Sequence, residues 1–179
     1  DYSLNLEFLD GSENHLLKLT AQGVGEFSHV YFESLLQSGA SLLALADPEG
    51  NGDIELTKDG VFGVNVTNMT TAQSILLQEI NGGTLITEDE LTVAVAELDP
   101  QEVLDLAVAI KIIVDNDNYD LPEGFQNTLD FAQNETAVSE FIADVAEHNP
   151  EVIQETMLAI AGDDNLSGGA SQSFTLPSF

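Results

Sequence analysis

The chain has 179 residues, of which 32 are acidic, three are lysines and none is arginine, so its formal net charge is -29 at pH 7. A surface this negative repels nucleic acid and anionic membranes, and the absence of cysteine excludes disulfides and thiolate metal sites. Because 43% of the residues are hydrophobic, the chain is expected to fold around its own core as a single domain. No apolar run approaches the roughly 20 residues of a membrane-spanning helix, so membrane insertion is not expected.

An alternating pattern predicts a β-hairpin over residues 1–25. Apolar residues occupy every second position from Tyr2 to Phe8, and again at Leu17 and Leu19, as in half-buried strands. Between these two segments, residues 9–14 are a cluster of mainly turn-favouring residues. The hairpin is therefore predicted to join Tyr2–Phe8 to the strand around Leu17 and Leu19.

Helical spacing begins near Ser28, and residues 28–162 are predicted to form a helical bundle. The apolar residues from Tyr31 to Leu36 already follow this spacing. Later helix starts are indicated by N-cap residues, by a capping box between Thr87 and Glu90, and by proline at the first helical position. The predicted starts are Asn68, Thr87, Asp99, Asp120, Asn134 and Asn149.

The predicted fold class is mainly α, a bundle of about six or seven helices with a minor β element. We expect the segment Asp99–Val114 at the centre of the bundle, because it is apolar on nearly every face. Glycines at Gly82-Gly83 and at Gly162 are expected to end helices. Residues 163–179 are predicted to form a flexible tail in which Phe174–Leu176 is a short final strand.

Several stretches between residues 34 and 125 carry a family resemblance. They are Ser34–Ala46, Val64–Ala72, Leu98–Pro100, Ala107–Asp115 and Leu121–Gly124. Together they resemble a helical module of large exported bacterial surface proteins and lipoproteins, which often lies beside Ig-like or carboxypeptidase-regulatory-like β-domains. That module commonly carries an Asn-Val-Thr-Pro-Leu-Thr-Thr string, in which Asn68 and Met69 stand here for Pro and Leu. The resemblance implies an exported location and no catalytic activity.

The acidic segment from Asp47 to Asp59 predicts a calcium site. Oxygen-bearing side chains recur at every second residue, with Gly52 at the sixth position, as in the front half of an EF-hand loop. Lys58 occupies the twelfth position, where a bidentate glutamate belongs, and Asp59 lies one residue beyond. The alternative is a solvated acidic loop. The candidate ligands are Asp47, Glu49, Asn51, Asp53, Glu55 and Asp59.

A second candidate calcium site follows the predicted central helix. Its carboxylates are those of Asp115, Asp117, Asp120 and Glu123. Acidic residues at a helix C-terminus oppose the helix dipole, and a bound cation would remove this cost. The alternative is that Asp120 caps the next helix and that Asp115 and Asp117 merely end the preceding one.

These features together predict a non-enzymatic structural or interaction module of an exported, acidic, Ca²⁺-stabilised surface protein. The chain begins at Asp1 without a signal peptide, so we expect a mature or excised part of a longer protein. Its partners would be neighbouring domains or identical subunits. An extracellular or cell-surface location is expected, and the cytoplasm of a salt-accumulating halophile is the alternative, because both environments screen the negative charge.

Two other functions remain open from the sequence. The first is an extracellular subunit that self-assembles by strand exchange, with Phe174–Leu176 entering the Tyr2–Phe8 hairpin of a neighbour. The second is a secreted carbohydrate-active domain, which would need two carboxylates across a cleft.

Overall fold

The computed structural model of the protein describes residues 13–47, 65–163 and 166. Across these residues the fold is mainly α-helical, as the sequence predicts, with seven α-helices and one two-stranded antiparallel sheet. The strands are β1 (Leu16–Gln22) and β2 (Tyr31–Ser38), separated by a short 3-10 helix at Gly25–Phe27. The helices are α1 (Gly39–Ala46), α2 (Asn68–Ile80), α3 (Glu88–Glu97), α4 (Pro100–Asp115), α5 (Thr128–Ala132), α6 (Glu135–His148) and α7 (Pro150–Gly162).

The hairpin of the structure pairs β1 with a strand that the sequence pattern does not predict. The strand expected around Leu17 and Leu19 is β1, and it pairs antiparallel with β2, so that Gln22 lies opposite Tyr31. The partner strand that was predicted, Tyr2–Phe8, lies outside the described residues.

The prediction of a helix over Tyr31–Leu36 is wrong, because these residues belong to β2. The helical part of the chain therefore begins at Gly39 rather than at residue 28. The reason lies in two polar residues of β2, Glu33 and Ser34, which are both buried. In most strands such buried positions hold apolar side chains. Because Glu33 and Ser34 hold them here, the apolar residues of β2 are left in two pairs whose spacing resembles that of a helix.

The predicted N-terminal signals of four helices are confirmed. Thr87 and Glu90 form the capping box of α3. Asp99 caps α4 ahead of a proline at the first helical position, Asn134 caps α6, and Asn149 immediately precedes α7. Capping oxygens accept hydrogen bonds from the first backbone N–H groups of a helix, which have no acceptor within it.

The start of α2 is shifted by one residue from the prediction. Thr67 is the N-cap, and its side chain accepts a hydrogen bond from the backbone N–H of Thr70. Asn68, the predicted cap, is instead buried, and its Nδ2 donates to the carbonyl of Ala107 on α4 at 3.0 Å. A residue with a capping side chain therefore serves to join two helices.

The helix predicted to begin at Asp120 does not form there. The next helix, α5, begins at Thr128 and is capped by Asn127, whose side chain accepts from the backbone N–H of Asp130. Gly124 has a φ of 99°, a left-handed conformation that cannot continue a right-handed helix. The chain therefore turns at Gly124 before α5 begins.

The predicted helix ends are confirmed at both glycine positions. Helix α2 ends before Gly82 and Gly83, whose φ angles are 71° and 155°, and α7 ends at Gly162. The predicted tail strand, Phe174–Leu176, lies outside the described residues.

Helix α4 lies at the centre of the bundle, as predicted from its apolar faces. It contacts α2, α5, α6 and α7. Residues from α2, α6 and α7 join it in the main core cluster, among them Met69, Val145 and Ile160. The buried residues of α4 itself are Val103, Leu104, Leu106, Ala107, Val108, Ala109, Ile110, Ile112 and Ile113.

Candidate functional site

The first predicted calcium loop lies almost entirely outside the described residues. Asp47 is described and forms the C-cap of α1, where its backbone N–H donates to the carbonyl of Leu43 at 2.9 Å. The other candidate ligands lie outside the described residues, so calcium binding by this loop stays a prediction. They are Glu49, Asn51, Asp53, Glu55 and Asp59.

The second predicted calcium cluster is only partly brought together. Asp115 and Asp117 both line a depression of about 450 Å³ between the end of α4 and α7, whereas Asp120 and Glu123 do not. The carboxylate of Asp115 pairs with Lys111 one turn earlier, which relieves its unfavourable position at the helix C-terminus. In the described ranges no three His, Asp or Glu side chains are grouped so that they could hold a metal ion.

Calcium binding is tested by thermal unfolding. Millimolar Ca²⁺ is expected to raise the Tm above the value in NaCl of equal ionic strength, because a site occupied at 100 times its Kd adds about 2.7 kcal/mol. Asp53→Ala and Asp117→Ala should show which segment binds, with Asp144→Ala on the exposed face of α6 as the control. Equal Tm values in the two salts would show that the protein has no specific calcium site.

A second depression, a groove between α2, α4 and the start of α6, has the more apolar lining of the two. Its volume is about 380 Å³. The floor is apolar: Ile75 and Leu106 are buried, and Leu76, Ile80 and Val138 are partly exposed. Four of these five belong to or pack against the main core cluster, so the floor has a firm base. Covering apolar surface of this kind with a partner removes it from water, which lowers the free energy of the complex.

The rim of this groove is acidic on each of its three walls. Glu79 comes from α2, Glu102 and Asp105 come from α4, and Glu135 comes from α6. Glu102 and Asp105 are three residues apart and therefore lie on the same side of α4. No lysine, arginine or histidine is among the described residues that line the groove. The groove therefore combines an apolar floor with a rim whose charged residues, among those described, are all acidic.

Asp105 of the rim has an environment that disfavours its ionised form. Asp105 is exposed, yet the surrounding protein atoms partly desolvate its carboxyl and raise its pKa above the usual value, and repulsion from Asp99 acts in the same direction. A hydrogen bond of 2.7 Å from Gln101 Nε2 opposes both effects. The ionised form of Asp105 is thus held at an electrostatic cost that a nearby cation would relieve.

The α2 wall of the groove is fixed by a buried carboxylate on the opposite side of that helix. Glu33 of β2 is 1% exposed. Its Oε1 accepts hydrogen bonds from Ser74 Oγ at 2.6 Å and Gln78 Nε2 at 2.9 Å. Its Oε2 lies 3.4 Å from Lys18 Nζ of β1. These contacts join both strands to α2 through one side chain.

The backbone of Glu33 is held by the same helix. Thr71 Oγ1 accepts a hydrogen bond from Glu33 N at 2.9 Å, and Thr70 Oγ1 donates to Glu33 O at 3.0 Å. Threonine side chains of α2 thus take the place of a further strand along this edge of β2. The position of α2, and hence of one groove wall, depends on this network.

The groove carboxylates are not singled out by the sequence, because every acid in so acidic a chain has acidic neighbours. One signal was present. Asp105 interrupts a helix that is otherwise apolar on nearly every face, and Glu102 precedes it by three residues. Two acids that share one side of a central helix indicate where the bundle opens to solvent.

In comparisons with family models, curated proteins and solved structures, no match to this chain is found. The resemblance of residues 34–125 to a helical module of exported surface proteins therefore stays a prediction. Among the residues that the structure describes, no helix combines the length and apolar content needed to cross a membrane.

Proposed function

We propose that this chain is a non-enzymatic interaction module that holds a segment of a neighbouring protein or domain in the groove between α2, α4 and α6. The observation that carries this proposal is the apolar floor of the groove, where Leu76, Ile80 and Val138 are partly exposed and lie over buried core residues. Grooves of this kind bind the apolar side chains of a partner segment, which excludes water from both surfaces.

The location that accompanies this function is outside the cell or at the cell surface. The net charge of -29 requires screening, which a calcium- and salt-rich exterior provides and the cytoplasm of a halophile provides as well. The resemblance of residues 34–125 to modules of exported proteins favours the exterior. The calcium-dependent Tm described above tests the calcium stabilisation that accompanies this location, separately from the groove.

The docking function is tested by blocking the groove sterically. Ser139 lines the groove and is exposed on α6, so Ser139→Trp should fill the groove without disturbing the core. Thr136, which is also exposed on α6 but does not line the groove, provides the matched control Thr136→Trp. Peptides selected from a random display library on the wild-type protein are expected to bind Ser139→Trp at least about tenfold more weakly.

The control variant should bind the selected peptides as the wild type does. The groove is not the docking surface if the library yields no binder of about micromolar Kd, or if the selected peptides bind Ser139→Trp and wild type equally.

A further inference from the structure

We infer that the segment held in the groove is cationic and comes from a different protein or domain, and not from a second copy of this chain. This inference rests on the proposed docking function and specifies the partner: one or two apolar side chains flanked by lysine or arginine.

The first argument is the charge of the rim. Each wall of the groove contributes at least one carboxylate, and the lining residues include no basic side chain to compensate them. A segment that covered the floor would remove water from Glu79, Glu102, Asp105 and Glu135, and partly desolvated carboxylates are costly unless they gain a partner. Lysine or arginine beside the apolar anchors supplies that partner, because their long stems lie along apolar surface while their charged ends reach the rim.

The second argument concerns Asp105. Its carboxyl lies on the groove rim, where partial desolvation raises its pKa and disfavours the ionised form. Because the folded-state pKa is raised, ionisation of Asp105 weakens folding at neutral pH. This destabilisation shrinks as the pH falls through the folded-state pKa and is gone below the unfolded-state pKa. Asp105→Asn should therefore leave the Tm at pH 7 unchanged or slightly raised, while it removes a charge that a cationic partner uses.

The third argument excludes a second copy as the occupant. The chain has three lysines and no arginine. Lys18 pairs with Glu33, and Lys111 pairs with Asp115, while Lys58 lies outside the described residues. A second copy would also bring a charge of -29 against the same charge, so long-range repulsion opposes a homotypic contact at an acidic groove.

The dimensions limit the partner to a short anchor. The groove residues span 75–80 on α2, 102–106 on α4 and 135–139 on α6, which is about one and a half helical turns or less on each wall. The groove has a volume of about 380 Å³, and at this length it has room for one or two apolar side chains. The cationic side chains of the partner must therefore lie within about one turn of those anchors.

The test uses three synthetic amphipathic peptides of about 15 residues, long enough to form helix. All share one leucine stripe, and their flanking positions are all lysine, all glutamine or all glutamate. The lysine peptide is expected to bind about tenfold more tightly than the glutamine peptide at about 0.01 M NaCl. This ratio should shrink at about 0.15 M, where screening is stronger. The glutamate peptide should not bind.

Groove variants separate this effect from general attraction to an acidic protein. Glu102→Gln and Asp105→Asn should each weaken binding of the lysine peptide several-fold and leave the glutamine peptide unchanged. The matched controls are Glu140→Gln and Glu147→Gln, which remove exposed charges of α6 outside the groove and should change binding less than twofold.

Each outcome bears on one claim. If the lysine and glutamine peptides bind the groove equally, docking stands and the cationic partner is rejected. If the control variants weaken the lysine peptide as much as the groove variants do, the attraction is nonspecific and the inference also fails. If Ser139→Trp leaves the binding of all three peptides unchanged, the docking function itself fails. Dimerisation of the wild type that Ser139→Trp abolishes would identify a second copy as the occupant.

Discussion

Replacing Ile110 by alanine is expected to lower the free energy of unfolding by about 2–5 kcal/mol. Ile110 is 0% exposed, lies near the middle of α4 and belongs to the main core cluster; α4 as a whole contacts α2, α5, α6 and α7. Truncation removes buried methyl groups and leaves a cavity that close-packed neighbours fill only in part. Urea denaturation measures the effect, and Leu106→Ala, one turn earlier and also buried, should lose a comparable amount.

Val93→Ala on α3 is the matched control, because this side chain is 62% exposed. Its substitution should change the free energy of unfolding by less than about 0.5 kcal/mol. A loss below about 1 kcal/mol for both Ile110→Ala and Leu106→Ala would show that α4 is not the buried centre of the bundle.

Removal of the Glu33 side chain should destabilise the protein by about 1–3 kcal/mol for each buried hydrogen-bond donor that loses its acceptor. In Glu33→Ala, the hydroxyl of Ser74 and the amide of Gln78 lose their shared acceptor inside the protein. Lys18→Met should cost less, about 1–2 kcal/mol, because the lysine is 44% exposed and its contact distance is 3.4 Å. Chemical denaturation of each variant measures both losses.

The double variant Lys18→Met/Glu33→Gln separates the charge from the hydrogen bonds. The glutamine introduced in place of Glu33 would keep a carbonyl acceptor for Ser74 and Gln78 and needs no cation. The double variant should therefore be more stable than the sum of the losses in Lys18→Met and Glu33→Gln predicts. We expect a coupling energy of about 0.5–3 kcal/mol. Strictly additive losses would mean that Lys18 does not stabilise the buried carboxylate.

The centre of the fold could be predicted from the sequence because its signals are local. Asp99 and Pro100 mark a helix start by side-chain chemistry alone, and the apolar faces that follow are typical of a helix with neighbours on most sides. Capping at Thr87 and Asn134 was predictable for the same reason. Such features depend on residues within a few positions of one another.

Strand β2 could not be predicted in this way, because its burial depends on residues far along the chain. Glu33 is buried only because Ser74 and Gln78, about forty residues later, supply donors and Lys18 supplies a charge. A polar residue at a core position looks like an exposed one until its partners are known. The prediction of a helix start at Asp120 was wrong because Gly124 adopts a left-handed backbone conformation, which a right-handed helix cannot contain.

The groove could not be predicted from the sequence, because the chain is acidic throughout. Its rim carboxylates come from three helices that are distant in sequence, and they are a small share of the 32 acidic residues. Only packing of α2 and α6 against α4 shows which acids surround exposed apolar surface. The calcium segments, in contrast, could be proposed from the sequence because their acidic residues follow one another closely. In the structure, however, Asp115 and Asp117 line one depression, and Asp120 and Glu123 do not.

The most direct test of docking in the groove is methyl NMR of the full chain, titrated with the lysine-flanked peptide. The methyl signals of Leu76, Leu106 and Val138 on the groove floor should shift as the peptide is added. Those of Val93 and Leu158, which are exposed on α3 and α7, should not. Saturable shifts confined to the floor are the predicted result. Shifts spread evenly over exposed methyl groups, or no shifts on the floor, would contradict the proposed function.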